Sequence, residues 1–388
     1  VIDGVVSGTG ASLNPNEIET ISVLKDGAAT ALYGSRATNG VILVTTKSGR
    51  MGENKIDISM KLGINNHTLG KFKLMNSQEL YDYSRSMPNI DNDYSWITKD
   101  VLNHDTDWYD LATHTGFTQN YTVSYTSGGE KNRSFISADY YGENGAVKGY
   151  KYDRINIRSN NDYKISDKLT LKTKFAGSYS TVDDKIHDVQ GAMNYLPWDY
   201  PYNEDGSVRT GKEDDWHGRD RSNYLYNLQW NWGRSKTLGV TGTIGIDYKI
   251  TDYLIFESTN NIGYNYKRST NYEDPRSIGA SEYSGSIQSI NEFRTTRYTN
   301  QLLRFNHIFN NIHSVSAFLG YEHSDSQFEK DDVTGRGIPT GGEVLGVSTS
   351  PYATKGAKSA TALQAADFHA NYTYHDKYRG QLSLRMDG

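Results

Sequence analysis

Acidic side chains crowd two short stretches, Asp183-Asp184-Lys185-Ile186-His187-Asp188 and Glu213-Asp214-Asp215. Hard oxygen donors at that density are the raw material of a Ca²⁺ loop. Neither stretch has the spacing of an EF-hand, so a solvated acidic loop is the first reading and a bound Ca²⁺ the second. Ten His are scattered, and the pair that flanks a single turn, His307 and His313, reads as strand-end imidazoles rather than a metal pair. Searches for a Gly-x-x-x-x-Gly-Lys-Ser/Thr loop, a His-Glu-x-x-His helix and a Gly-x-Ser-x-Gly elbow all fail. Gly8-Thr9-Gly10 opens like a dinucleotide loop, but Leu13 stands where a third glycine belongs. With no Cys, thiol catalysis, disulfides and Cys-based zinc sites are excluded. The expectation is a protein with no catalytic residue, no cofactor and no metal: not an enzyme.

Aromatic rings carry more information. All six Trp fall in two long polar stretches, Trp96 and Trp108 in one, Trp198, Trp216, Trp230 and Trp232 in the other. Tyr200, Tyr202 and Asp205 are interleaved with the second group. Flat rings beside carboxylates suit a sugar, whose C–H faces stack while its hydroxyls find acceptors. Trp96, Trp108, Trp198, Tyr200, Tyr202, Asp205 and Trp216 are therefore the substrate-loop candidates. The competing reading is that these rings pack the loops or sit at a lipid interface. Nearer the N-terminus, Glu19, Lys25, Asp26 and Arg36 lie among apolar neighbours, where a charge must be paired or wet.

The elements that position these residues are strands. From Ile56 to Ile64 the even positions are Ile, Ile, Met, Leu and Ile, separated by Asp57, Ser59, Lys61 and Gly63. Leu238 to Ile250 and Tyr378 to Met386 repeat the pattern, and such alternation gives a strand one apolar and one polar face. About eleven strands begin near residues 55, 117, 134, 152, 169, 238, 254, 293, 313, 364 and 378. Short turns alternate with long connections near 65–116, 180–236, 267–291 and 325–362. The short turns Ile165-Ser166-Asp167-Lys168 and Ile250-Thr251-Asp252-Tyr253 form a weak internal repeat, with Ser/Thr placed to bond its own backbone.

Composition agrees. Of 388 residues 36% are hydrophobic, 30 are Tyr and 37 are Gly, with a net charge of -5. Disorder needs fewer aromatics, nucleic-acid binding needs a basic excess, and no run approaches the roughly 18 apolar residues of a membrane helix. Alternation with short turns at one end and long loops at the other is the pattern of an outer-membrane β-barrel, ahead of a soluble sandwich. Single-chain bacterial barrels have an even strand number, so eleven reads as part of a larger barrel.

Residues 1–50 are different. Asn14-Pro15-Asn16-Glu17 is a capped helical start, and Ile21 to Lys25 a short strand. Gly27 to Tyr33 reads as a short helix. Asn39-Gly40 is a turn into the strand Val41 to Lys47, whose apolar run predicts burial on both faces. Here Val1-Ile2-Asp3-Gly4, Asn14-Pro15-Asn16-Glu17-Ile18-Glu19 through Lys25-Asp26, and Tyr33-Gly34-Ser35-Arg36-Ala37-Thr38-Asn39-Gly40 resemble the plug signature of SusC/RagA-type TonB-dependent transporters. Thr106-Asp107-Trp108, Tyr152-Asp153-Arg154, Pro201 to Gly206 and the closing Arg385-Met386-Asp387-Gly388 are similar too.

The resemblance implies a plug inside a 22-stranded barrel in the outer membrane of a Gram-negative bacterium, most plausibly of the Bacteroidota. It makes residues 1–50 the C-terminal part of the plug and 51–388 the N-terminal half of the barrel. On that reading a signal peptide, the TonB-binding segment and the second half-barrel are expected to lie outside these 388 residues. The implied activity is TonB-dependent import of oligosaccharides or peptides with a SusD-like surface lipoprotein, in a lipid bilayer bearing lipopolysaccharide, with no nucleic-acid partner. Gating candidates are the signature residues Asn14, Pro15, Asn16, Glu19, Lys25, Asp26, Tyr33, Gly34, Arg36, Asn39 and Gly40. The alternatives are a platform subunit of a larger outer-membrane complex and a siderophore or cobalamin receptor.

Overall fold

The computed structural model describes residues 1–388 apart from 7–12, 26–36, 38, 89–93, 186, 219–220 and 281–283. Two sheets are present. The small one pairs β1 (Ile18–Leu24) antiparallel with β2 (Val41–Thr46). The large one has eleven strands: β3 (Asn54–Asn66), β4 (Thr115–Gly128), β5 (Asn132–Asn144), β6 (Tyr150–Lys164), β7 (Leu169–Asp184), β8 (Trp232–Lys249), β9 (Leu254–Glu273), β10 (Ser286–Phe309), β11 (His313–Arg336), β12 (Ser350–Tyr374) and β13 (Tyr378–Asp387). Each pairs antiparallel with its sequence neighbour, and β3 and β13 are the edges.

Register puts the apolar residues on one face. Ile56, Ile58 and Met60 lie opposite Tyr125, Val123 and Tyr121, and the row continues through Ile136, Ala138 and Tyr140. Ile58 is 82% exposed, the condition of a side chain that meets lipid rather than a core. Aromatic rings flank this band at both ends. Near the short turns Tyr253, Phe305, His307 and Phe309 cluster, and His313 stacks on Tyr372. Toward the long loops Tyr266 stacks on Phe293 at 4.9 Å. On β9–β11 the band is broken by polar residues that satisfy one another: Arg297 pairs with Asp325 at 2.9 Å, and Thr299 donates to Asn260 at 2.7 Å.

The turns explain the register. Asn310-Asn311 and His375-Asp376 hold positive φ at both central residues, as tight hairpins require. Ser166 Oγ accepts from the amides of Lys168 and Leu169, and Thr251 Oγ1 from those of Tyr253 and Leu254, so the repeated turn works as its residues predict.

Two expectations need correction. The stretches 267–291 and 325–362 are mostly strand: β9 runs to Glu273 and β10 starts at Ser286, while β11 runs to Arg336 and β12 starts at Ser350. Crossing a membrane takes about 10 residues, so strands of 24 and 25 residues project far beyond it. Up there neither face meets lipid and the period-2 signal vanishes; ladder hydrogen bonds hold the strands, joined by contacts such as Gln288 donating to Asp332 at 2.8 Å and the packing of Tyr272, Ile287 and Ile338. Second, the apolar run of β2 is not buried on both faces, because Ile21, Val23 and Ile42 are all more than half exposed.

The two longest connections fold on each other. From 67–114 come α1 (Ser77–Arg85), closed by a capping box between Asn76 and Glu79, and α2 (Trp108–Ala112). From 185–231 come α3 (Val189–Ala192) and α4 (Tyr224–Leu228). Trp108, Ala112, Ala192, Trp216 and Leu225 form one core, and Ile97, Val101 and Trp198 another.

Candidate functional site

The N-terminal unit is docked on the polar face of the large sheet by buried hydrogen bonds and ion pairs. Asn14 caps the 3-10 turn Pro15–Glu17 by accepting from the Asn16 amide at 2.9 Å. Its Nδ2 donates to Thr122 on β4 at 3.1 Å, and Asn16 reaches the same hydroxyl at 3.2 Å. The turn thereby aims Glu17 into the wall. Its Oε1 accepts from Ser137 of β5 at 2.6 Å and its Oε2 from Arg158 Nε of β6 at 2.8 Å, with 2% and 8% of the two charged side chains exposed. Asp3 accepts from the Thr46 amide and hydroxyl and pairs with Lys174 of β7 at 3.2 Å. Asn160 of β6 donates to Thr46 at 2.8 Å and to the Lys47 carbonyl at 2.7 Å. Where the chain leaves this unit for β3 it crosses the β4–β5 hairpin with no room to spare. A Cβ on Gly49 would stand inside the backbone of Ser127, Arg133 and Ser134, and one on Gly128 inside Arg50.

The gating candidates are placed only in part. Asn14, Pro15 and Asn16 do form the docked turn. Glu19 pairs with Arg50 in an exposed contact, and Lys25 is exposed. Asn39 leads into Gly40, whose φ of +90° fits only glycine and whose Cβ would lie 2.7 Å from the Leu24 carbonyl oxygen. Asp26, Tyr33, Gly34 and Arg36, with the helix expected at Gly27–Tyr33, lie outside the described residues. The clamp, the buried pair Glu17–Arg158 and the half-buried pair Asp3–Lys174, was missed. One signal could have found it: Asn156, Arg158 and Asn160 alternate with Ile155 and Ile157, so Arg158 is a charge on the inner face.

Between docked unit and wall lies a cavity of about 600 Å³. Asp3 and Glu17 line one side; Arg158, Lys174, Thr241, Asn261 and Arg294 are among the wall residues opposite.

The substrate-loop candidates divide in two. Trp108, Trp198 and Trp216 are each only 2% exposed, which corrects their reading as ligand-facing rings. Trp108 Nε1 donates to the Leu196 carbonyl at 3.0 Å, Trp198 Nε1 to that of Ser77 at 3.1 Å, and Trp216 Nε1 to that of Arg221 at 3.0 Å. A connection this long needs a core of its own, and these rings supply it. Trp96 and Tyr200 do face outward: Trp96 stacks on His217 and Tyr200 on His104, both at 5.2 Å, and Tyr202 meets Tyr200 edge-on. Asp205 is an exposed turn residue that accepts from Ser207.

The acidic clusters have local employment. Glu213 accepts from the amides of Thr210, Gly211 and Lys212 and from the Thr210 hydroxyl. Burial opposes its charge, but those backbone donors prevail and bring it down to about 2. Asp215 pairs with Arg209, Asp183 with Arg234 at 3.4 Å, and Asp188 caps α3. Burial lowers the pKa of His187 and raises those of Tyr195 and Tyr224, which fits the packed interior of these loops. Among the described residues no cluster of three or more His, Asp or Glu could hold a metal.

An eleven-stranded antiparallel wall, apolar on one face and polar on the other, with a small unit of two strands and a 3-10 turn clamped to the polar face, is the architecture of part of a plugged β-barrel. Residues 1–41 match the TonB-dependent Receptor Plug Domain. The whole chain is 28% identical to TonB-dependent receptor P26 of Formosa agariphila, covering 40% of that protein. Over 60% of its length it is 30% identical to TonB-dependent receptor SusC of Bacteroides thetaiotaomicron, covering 23% of it. The RagAB peptide importer in its closed-closed state superposes on the entire chain with a TM-score of 0.85 at 18% identity, through 48% of the matched chain, which shows the fold. The siderophore receptor PiuA from Acinetobacter baumannii aligns with a TM-score of only 0.54 at 13% identity. The chain thus resembles the SusC/RagA type of TonB-dependent receptor, and it spans less than half the length of the curated relatives it matches.

Proposed function

We propose that this chain is the later part of the plug and the first half of the barrel wall of an importer of large nutrients, oligosaccharides or peptides, across the outer membrane. In this reading import is driven through TonB, and a SusD-like surface lipoprotein closes the long-loop side. The supporting observation is the plug–wall interface. Glu17–Arg158 and Asp3–Lys174 are charge pairs held across two separate units, strong while dry and weakened as water enters when the plug moves. A plug fixed this way blocks the lumen until a pull from the periplasmic side separates the pairs. No covalent chemistry on a substrate is involved.

The test is genetic. Deleting the gene in its host should abolish growth on at least one oligosaccharide or peptide source, and deleting TonB should give the same loss. Unchanged growth of the deletion strain on every source, where the parent strain carries the protein in its outer membrane, would favour a platform role and overturn import.

A further inference from the structure

The inner-wall cations lining the cavity are not all paired. Arg158 and Lys174, on β6 and β7, are taken by the plug carboxylates Glu17 and Asp3. Arg294, on β10, lines the same cavity, is exposed, and has no carboxylate partner among the described residues. Its guanidinium sits over the Phe328 ring at 4.9 Å, and its sole hydrogen bond among them is a long one of 3.4 Å from Nη1 to Ser326 Oγ. A guanidinium stacked on a ring keeps its fork of N–H donors in a fixed direction, the geometry that reads a carboxylate or sulfate. Around it the wall offers hydroxyls and amides such as Thr241, Asn261 and Thr296.

We propose that this cavity reads acidic oligosaccharides, with Arg294 as the anion anchor and Asp3 and Glu17 holding the places that ligand anions take on Lys174 and Arg158 once the plug is displaced. The proposal rests on the import reading and adds a substrate class to it. Three cations on one inner wall, two of them masked by plug acids, make an electropositive track that plug movement uncovers. Hydroxyl and amide neighbours such as Thr241, Asn261 and Thr296 match sugar hydroxyls.

The experiment is calorimetric titration of the full-length transporter in detergent with hexagalacturonate, sulfated maltohexaose, maltohexaose and hexaglutamate. Hexagalacturonate or sulfated maltohexaose should bind, more weakly at higher salt, while neutral maltohexaose does not; which of the two binds better identifies the anion read. Arg294→Gln should weaken that binding roughly tenfold, the share expected of a charge-assisted hydrogen bond, and Arg294→Lys should restore part of it. Glu17→Gln, which frees Arg158, should strengthen it. Equal binding of neutral and acidic sugars, no binding of any probe, or indifference to Arg294→Gln overturns the proposal. Tighter binding of hexaglutamate, lost in Arg294→Gln, overturns it in favour of an acidic peptide. None of these outcomes touches TonB-dependent import itself, which growth reads separately.

Discussion

Glu17→Ala is the sharpest perturbation of the plug. It removes the acceptor of Ser137 and of Arg158, and leaves a guanidinium that is only 8% exposed facing a void. Removing one partner of a buried pair costs about 3–5 kcal/mol, because the remaining charge is desolvated without compensation. Glu19→Ala deletes a carboxylate two residues away whose partner Arg50 is 58% exposed, and such a surface pair is worth about 0–1 kcal/mol. The two variants remove the same chemical group from the same short segment, so their difference isolates burial. Hydrogen exchange of the full-length protein in micelles, read over residues 13–24 and 41–47, measures the opening of the plug from the wall. At 1.4 kcal/mol per decade, Glu17→Ala should speed exchange at least about 100-fold and Glu19→Ala less than about tenfold. Combining Glu17→Gln with Arg158→Gln should cost less than the sum of the single changes, since an amide pair leaves no stranded charge. Equal effects of Glu17→Ala and Glu19→Ala, or strict additivity in the double variant, would refute the buried clamp.

Gly49→Ala and Gly128→Ala each press a methyl group into backbone at the plug–hairpin crossing; both should cut the yield of heat-modifiable, folded protein, whereas Gly356→Ala, whose Cβ would come no nearer than 3.4 Å to its neighbour, should not. Trp198→Ala should cost about 3–5 kcal/mol within the folded loops, seen as new protease cleavage in 67–114 and 185–231 while the barrel stays heat-modifiable; Tyr200→Ala, at an outward-facing ring, should leave cleavage unchanged. Glu213 has a folded-state pKa of about 2 against an ordinary 4.5. A lowered carboxyl pKa contributes stability that is fully present above 4.5 and is lost as pH falls toward 2. Protection of the amides around Thr210–Glu213, taken relative to their intrinsic exchange rates at each pH, should therefore fall across that interval, and Glu213→Gln should remove the dependence; unchanged protection in the parent protein would show that the backbone cradle does not hold the charge.

Eleven strands, their starts within a few residues in most cases, and the short turns were legible because alternation is written locally: a membrane-facing strand must be apolar at every second residue wherever the rest of the chain goes. Asn14-Pro15 and Asn39-Gly40 were readable for a similar reason, since a cap or a positive φ is settled by one or two residues. Strand ends were not. Above the lipid, Lys267-Arg268-Ser269-Thr270-Asn271 of β9 and Glu329-Lys330-Asp331-Asp332 of β11 are polar on both faces, and a ladder hydrogen bond leaves no mark in side-chain type.

The Trp residues show the same limit from the other side. Residue type placed Trp96, Trp108, Trp198 and Trp216 in the long loops, but a ring that stacks a ligand and a ring that fills a core are the same residue. Only packing of 67–114 against 185–231 turned three of them inward. Glu17 and Arg158 stand 141 residues apart, and among the described residues Arg294 has no carboxylate partner, which its sequence neighbours do not reveal. The sequence by itself determined the barrel wall, its two faces and its turns, because each depends on near neighbours. Tertiary structure alone decided which charges pair across the plug and the wall and which rings face solvent, because those depend on what the fold brings within about 4 Å, the range over which a dry ion pair acts.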